Sequence, residues 1–293
     1  VEGYCGSGVQ VGMLALGWHR RLPPGVALLL THAINPHGFA WTRRVTEDNV
    51  DLNRNFGPDG VLPPVNAGYA AIHQWVIPSQ IEGPERDAAD AALERYRLEH
   101  GDRGLREAMS AGQYAYPDGL FYGGLGPTWS NRTLRSLIDT HLARVRRFCF
   151  FDIHTGLGPP GYGEASYVGD PTDGAFAQCQ RWLGDDVTWL DRGTGQSTPL
   201  HGHIGLPFRH LYGEGKIGPV LGIEYGTLPS TEVRAALRSD HWLHTRGELD
   251  SAQGRAIKQR LRDVFYVDTD AWKKQVIDRS DELTGRAMRN LAG

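Results

Sequence analysis

Asp51, Asn53 and Arg54 lie within four residues of one another, in the stretch VDLNRNF from Val50 to Phe56. On an extended chain Asp51, Asn53 and Asn55 would share one side, because side chains alternate with period two. Arg54 carries a planar fork of donors suited to gripping both oxygens of a carboxylate, and Asn53 adds a neutral donor beside it. Taken alone, the stretch also reads as a polar surface loop before a Gly-Pro turn. Elsewhere, three apolar runs end on residues able to do chemistry. FCFFDIH ends at His154, VLGIE ends at Glu224, and ALLLTHAIN ends near His32 and Asn35. Asp152 and His154, two apart, point the same way off a strand. A histidine that binds a metal usually has its second ring nitrogen held by a carboxylate or carbonyl. A carboxylate directly after VLGI is half-buried, and such a group needs a partner or a task.

These residues need a scaffold that brings strand ends together. The short apolar runs Val26–Leu30, Phe148–Ile153 and Val220–Ile223, bounded by Gly, Pro and polar residues, predict strands buried on both faces. Between them, residues 7–20, 85–98, 133–147, 234–249 and 256–278 predict helices; in residues 133–147, Leu134, Leu137, Ile138, Leu142 and Val145 recur near every 3.6 positions. Residues 113–129 are too rich in Gly, Pro and Tyr for a regular element and predict a long, functional loop. Strands alternating with helices predict an α/β fold with a mixed, mostly parallel central sheet flanked by helices, in one domain spanning 1–293. In such sheets ligands bind beyond the carboxyl ends of the strands.

Composition narrows the function. The chain has 293 residues, 40% hydrophobic and 22% charged, with a formal net charge of -3. No basic run or aromatic-basic interleaving points to nucleic acid, and no apolar run is long enough to span a bilayer. Three cysteines, Cys5, Cys149 and Cys179, lack metal-binding spacing and fit a reducing, cytoplasmic setting. No signal of oligomeric state is present.

In the order NPHGFAWTRRVTEDNVDLNRNF, FDIHTG and GIEYGT, the chain resembles the zinc metallocarboxypeptidase family, in particular a bacterial carboxypeptidase-like branch with segments of the type GQYAYPDGLFYGG. The resemblance runs from Glu2 to about Pro229. It implies a carboxypeptidase-type fold and one Zn2+, with Glu2 and His154 as ligands. It further implies Glu224 as general base, Arg44 (with Arg43 as its rival) polarising the scissile carbonyl, and Asn53 and Arg54 binding the substrate carboxylate. Asp51 would orient a further zinc histidine, and Tyr212 would cap the substrate. That histidine is expected three residues ahead of Glu2, before Val1, so the chain reads as lacking an N-terminal segment. His32, His37, His201, His203 and His210 are weaker substitutes for it. The implied activity is hydrolysis of an amide beside a free carboxylate, in a peptide or an N-acyl amino acid. The alternatives are an aspartoacylase-like deacylase and a metal-free carboxylate-binding domain.

Overall fold

The computed structural model describes residues 1–58, 60–169, 174–189, 200–213 and 215–292, with the backbone alone for 209, 210, 212 and 213. Among the described residues, four strands form one open sheet: β1 (Phe150–Thr155), β2 (Gly163–Tyr167), β3 (Thr188–Trp189) and β4 (Val220–Tyr225), in the order β1-β4-β2-β3. β1 and β4 are parallel, β4 and β2 antiparallel, and β2 and β3 parallel. The sheet is therefore mixed and mostly parallel, as the alternation of elements predicted.

Strand periodicity sorts the residues of the two central strands. Leu221, Ile223 and Tyr225 of β4, with Phe151 and Ile153 of β1, pack into a core with α1 (Gly3–Ala15), α6 (Ala175–Leu183) and α10 (Asp270–Ala292). Phe150 and Val220, of the opposite parity, pack with α5 (Trp129–Leu142) and α7 (Leu206–Gly213) on the other face. Asp152, His154 and Glu224 share that second parity, so the sheet sends all three towards the same side. A third core joins α3 (Ala67–Val76), α4 (Pro84–Ser110), α8 (Ser230–Arg246) and α9 (Ala252–Phe265). Arg238 of α8 stitches it together. Its Nε donates to Val76 O at 2.7 Å, its Nη2 to Trp75 O at 2.8 Å, and its Nη1 reaches Asp90 Oδ1 at 2.5 Å.

Several local expectations change. Val26–Leu30 forms no strand, and Leu29 is 49% exposed. An apolar run becomes a strand only when a neighbour completes its ladder, and this one faces a cavity instead. The single helix predicted over 256–278 is two, because residues 266–269 leave helical geometry and the hydroxyl of Thr269 accepts from Trp272 N, starting α10 afresh. VDLNRNF is not extended. Leu52–Arg54 forms a 3-10 turn capped by Asp51, whose Oδ1 accepts from Asn53 N at 3.0 Å. No helix among the described residues is long and apolar enough to cross a membrane.

The loops after β1 and β4 meet at Gly226. A Cβ there would lie 2.0 Å from Pro159 O and 2.5 Å from Gly158 O, both rigid backbone atoms. Gly226→Ala is therefore expected to lower stability by about 1–3 kcal/mol through forced backbone movement, read as a lower urea midpoint at unchanged slope.

Candidate functional site

The parallel register of β1 and β4 sets His154 directly beside Glu224 at the carboxyl ends of both strands. Glu2, at the entry to α1, completes the group. Its Oε2 lies 2.7 Å from His154 Nδ1, while Asp152 Oδ2 lies 2.5 Å from His154 Nε2. Asn53 Nδ2 approaches the same Nε2 at 3.3 Å. The imidazole is thus held between two carboxylates, one from a helix entry and one from its own strand. Burial disfavours the imidazolium, but the charge of Asp152 and the bonds to Asp152 and Glu2 outweigh it, so the His154 pKa rises well above its usual value.

Arg44 supplies the compensating cation. Its Nη1 donates to Glu2 Oε1 and its Nε to Asp51 Oδ2, the latter at 2.7 Å. Burial pushes the Glu2 carboxyl up, but Arg44 and His154 more than reverse this and hold it below the usual carboxylate range. Asp51 is likewise held low, because Arg44 and Arg54 outweigh its burial. Glu224 behaves differently. Burial, reinforced by the charge of Glu2, raises its pKa to about 8, and among the described residues its Oε1 accepts one backbone bond, from Leu157 N at 3.0 Å.

The remaining predicted residues are distributed unevenly. Asn53 reaches the site and is locked there, since its Oδ1 accepts from Ile204 N at 2.9 Å. Arg54 is 3% exposed and turns its donors to backbone. Nε donates to Ser110 O and Nη1 to Asn53 O, each at 3.1 Å, Nη2 donates to Ser110 O, and the guanidinium lies 5.2 Å from the Phe121 ring centroid. Arg43 points elsewhere, with Nε 3.4 Å from Asp240 Oδ2; of the two adjacent arginines, only Arg44 joins Glu2. The side chain of Tyr212 lies outside the described residues, as does that of His210. His203 is buried beside the group. Burial depresses its pKa to about 4, with Asp152 opposing, and its Nδ1 accepts from Gly205 N at 2.9 Å. Sequence reasoning passed over Glu164, which β2 places opposite Glu224 across the antiparallel ladder; its surroundings, GYGEASY, carry no chemical pattern. Asn55 braces the 113–129 loop, donating to Gly123 O at 2.8 Å and Gly126 O at 2.9 Å and accepting from Thr128 N at 3.0 Å.

Glu2 and His154 open onto a cavity of about 750 Å3, whose lining does not include Glu224. Glu2, Arg44, Asp51, Asn53, Asp152 and His154 form its polar end; Leu30, Ile34, Leu134, Ile138, Phe150 and Phe208 are among its apolar walls.

Among the described residues no three His, Cys, Asp or Glu side chains are arranged to hold a metal ion. Glu2 and Asp152 sit on different ring nitrogens of His154, so the three form a row rather than a cage. The Glu2–His154 pair still fits a divalent cation chemically. A carboxylate oxygen and an imidazole nitrogen converge at 2.7 Å with a proton between them, and Asp152 anchors the other nitrogen. A catalytic zinc takes one further protein donor.

Residues 1–279 match the family described as protein of unknown function (DUF2817), and the chain belongs to it. No curated protein and no solved structure matches the chain.

A pH dependence follows from Glu224. Its folded-state pKa lies above the unfolded value of 4.5, so its contribution to stability is complete below 4.5 and is lost as pH rises through about 8. In the metal-free protein, Glu224→Gln should gain stability relative to the parent chain between pH 5 and pH 8. Urea titrations at the two pH values that give the same difference would refute this.

Proposed function

We propose that the chain is a zinc-dependent hydrolase of metallocarboxypeptidase type, cleaving an amide bond next to a free carboxylate. The observation that carries this reading is the convergence of Glu2 on His154 Nδ1, with Glu224 register-paired to the same histidine. Glu2 and His154 would hold the ion. The third donor that a catalytic zinc takes is not assigned among the described residues. Bound there, zinc would bring the pKa of a water from ~15.7 towards ~7.

The chain's own groups account for the rest. Glu224, ionised once a cation beside it offsets the burial and the Glu2 charge that raise its pKa to about 8 in the metal-free chain, takes the proton of the attacking water at a carboxylate oxygen and returns it to the leaving nitrogen. Arg44 faces developing negative charge on the carbonyl oxygen; it is charged at every working pH, since its two acid partners outweigh its burial and raise its pKa. Asn53 offers an amide beside His154 for the substrate. Arg54 would serve as carboxylate partner only by exchanging its bonds to Ser110 O for bonds to substrate. The polar end and apolar walls of the cavity suit an N-acyl amino acid as well as a peptide terminus, so the deacylase reading shares this chemistry.

Metal analysis is the direct test. About one zinc per chain is expected, lost in His154→Ala; a metal-free protein would favour a carboxylate-binding domain. With zinc bound, Glu224→Gln should retain the metal and lose turnover, and Arg44→Ala should lower kcat by about 100- to 1,000-fold. Assays of free and C-terminally blocked peptides beside N-acyl amino acids separate the two hydrolase readings.

A further inference from the structure

Arg43 and Arg44 are chain neighbours committed to different networks. Arg44 joins Glu2 and Asp51, whereas Arg43 joins Asp240 in the body of α8. Asp240 is 4% exposed and serves more than one cation. Besides Arg43 it pairs with Lys258 of α9, whose Nζ donates to its Oδ1. His244, one turn further along α8, has Nε2 3.7 Å from the same oxygen, but burial lowers its pKa to about 3 and it adds no charge. Lys258 Nζ also donates to Thr42 O at 3.4 Å. One carboxylate and its lysine partner therefore hold both residues that lead into Arg44.

The held segment is not in a relaxed conformation. Thr42 has φ 50°, an unusual angle for a β-branched residue. Such a residue persists where its surroundings over-determine it. Here Tyr4 Oη and Thr42 Oγ1 are 2.7 Å apart, and Arg43 N donates to Gly38 O at 2.7 Å. Asn35 Nδ2 donates to Arg44 O at 3.3 Å, and the Asp240 network adds its hold on the Arg43 side chain and on Thr42 O. Asp240 and Lys258 do not line the cavity; Arg43, which Asp240 holds, does, and its backbone leads directly into Arg44.

We propose that Asp240 is a positioning residue. Through Arg43 and Lys258 it fixes peptide units 42–44, and so aims the Arg44 guanidinium between Glu2 and Asp51. The catalytic half of this statement rests on the hydrolase reading; the mechanical half does not.

The Nε–H of Arg44, which donates to Asp51, provides a reporter in nitrogen-15 spectra of the whole protein, identified by its loss in Arg44→Lys. Asp240→Asn and Lys258→Met should both displace this signal. Asp90→Asn, which breaks the Arg238 pair between α4 and α8, should leave it in place. In zinc-loaded protein hydrolysing an N-acyl amino acid, both network variants should lower kcat by about tenfold or more with KM within about twofold, as for a misaimed group that acts in the transition state. If Asp240→Asn does not fold, Lys258→Met decides alone. The proposal is overturned by an unmoved signal in the network variants, by an equal displacement in Asp90→Asn, or by a displaced signal with unchanged kcat. A displaced signal in a protein that turns over no substrate counts against the hydrolase and supports the coupling.

Discussion

Arg44 between Glu2 and Asp51 is the interaction on which the arrangement depends. Two carboxylates, 14% and 3% exposed at their side chains, sit close together on different parts of the chain. Without a cation between them, burial and mutual repulsion would drive a proton onto one of them. Arg44 keeps both ionised, and an ionised Glu2 in turn stabilises a charge on His154. Removing one partner from a buried pair of this kind typically costs about 3–5 kcal/mol, because the other charge is left uncompensated. Helix entry, turn and strand end are thereby tied by charge, in addition to the core that α1 shares with β1 and β4.

That charge pattern separates the acids by environment. Glu2 and Asp51 are held ionised by arginine. Among the described residues Glu224 has no arginine hydrogen-bonded to it and accepts a single backbone bond, and burial with the Glu2 charge raises its pKa to about 8 in the metal-free chain. Carboxylates pushed apart in this way are suited to different work, one set holding a cation and the other moving a proton.

What could be read from sequence was what local chemistry decides. Apolar runs ending on His154 and Glu224 became adjacent parallel strands, since both runs find a ladder and both end at the same edge. The two-residue spacing of Asp152 and His154 placed the carboxylate on the ring, as strand alternation requires. Long-range pairing was not legible. Val26–Leu30 has strand composition but no strand neighbour, and nothing in its residues announces that. Arg43 and Arg44 are chemically identical, and only Asp240, almost two hundred positions away, separates their roles. Arg54 looked like a ligand-facing fork, yet the carbonyl of Ser110 takes two of its donors. Glu164 was invisible because its significance comes entirely from lying opposite Glu224.

The odd-even division of β4 carries a consequence for folding fidelity. Leu221, Ile223 and Tyr225 are at most 1% exposed, and Glu224 stands between the last two. A shift of one residue against β1 would drive Glu224 into the oily layer beside α1 and α10 and turn Tyr225 out of it. Such a slipped chain would be rejected on solvation grounds alone, before any ligand was met. The acid that would do chemistry therefore also acts as a proofreader of strand alignment.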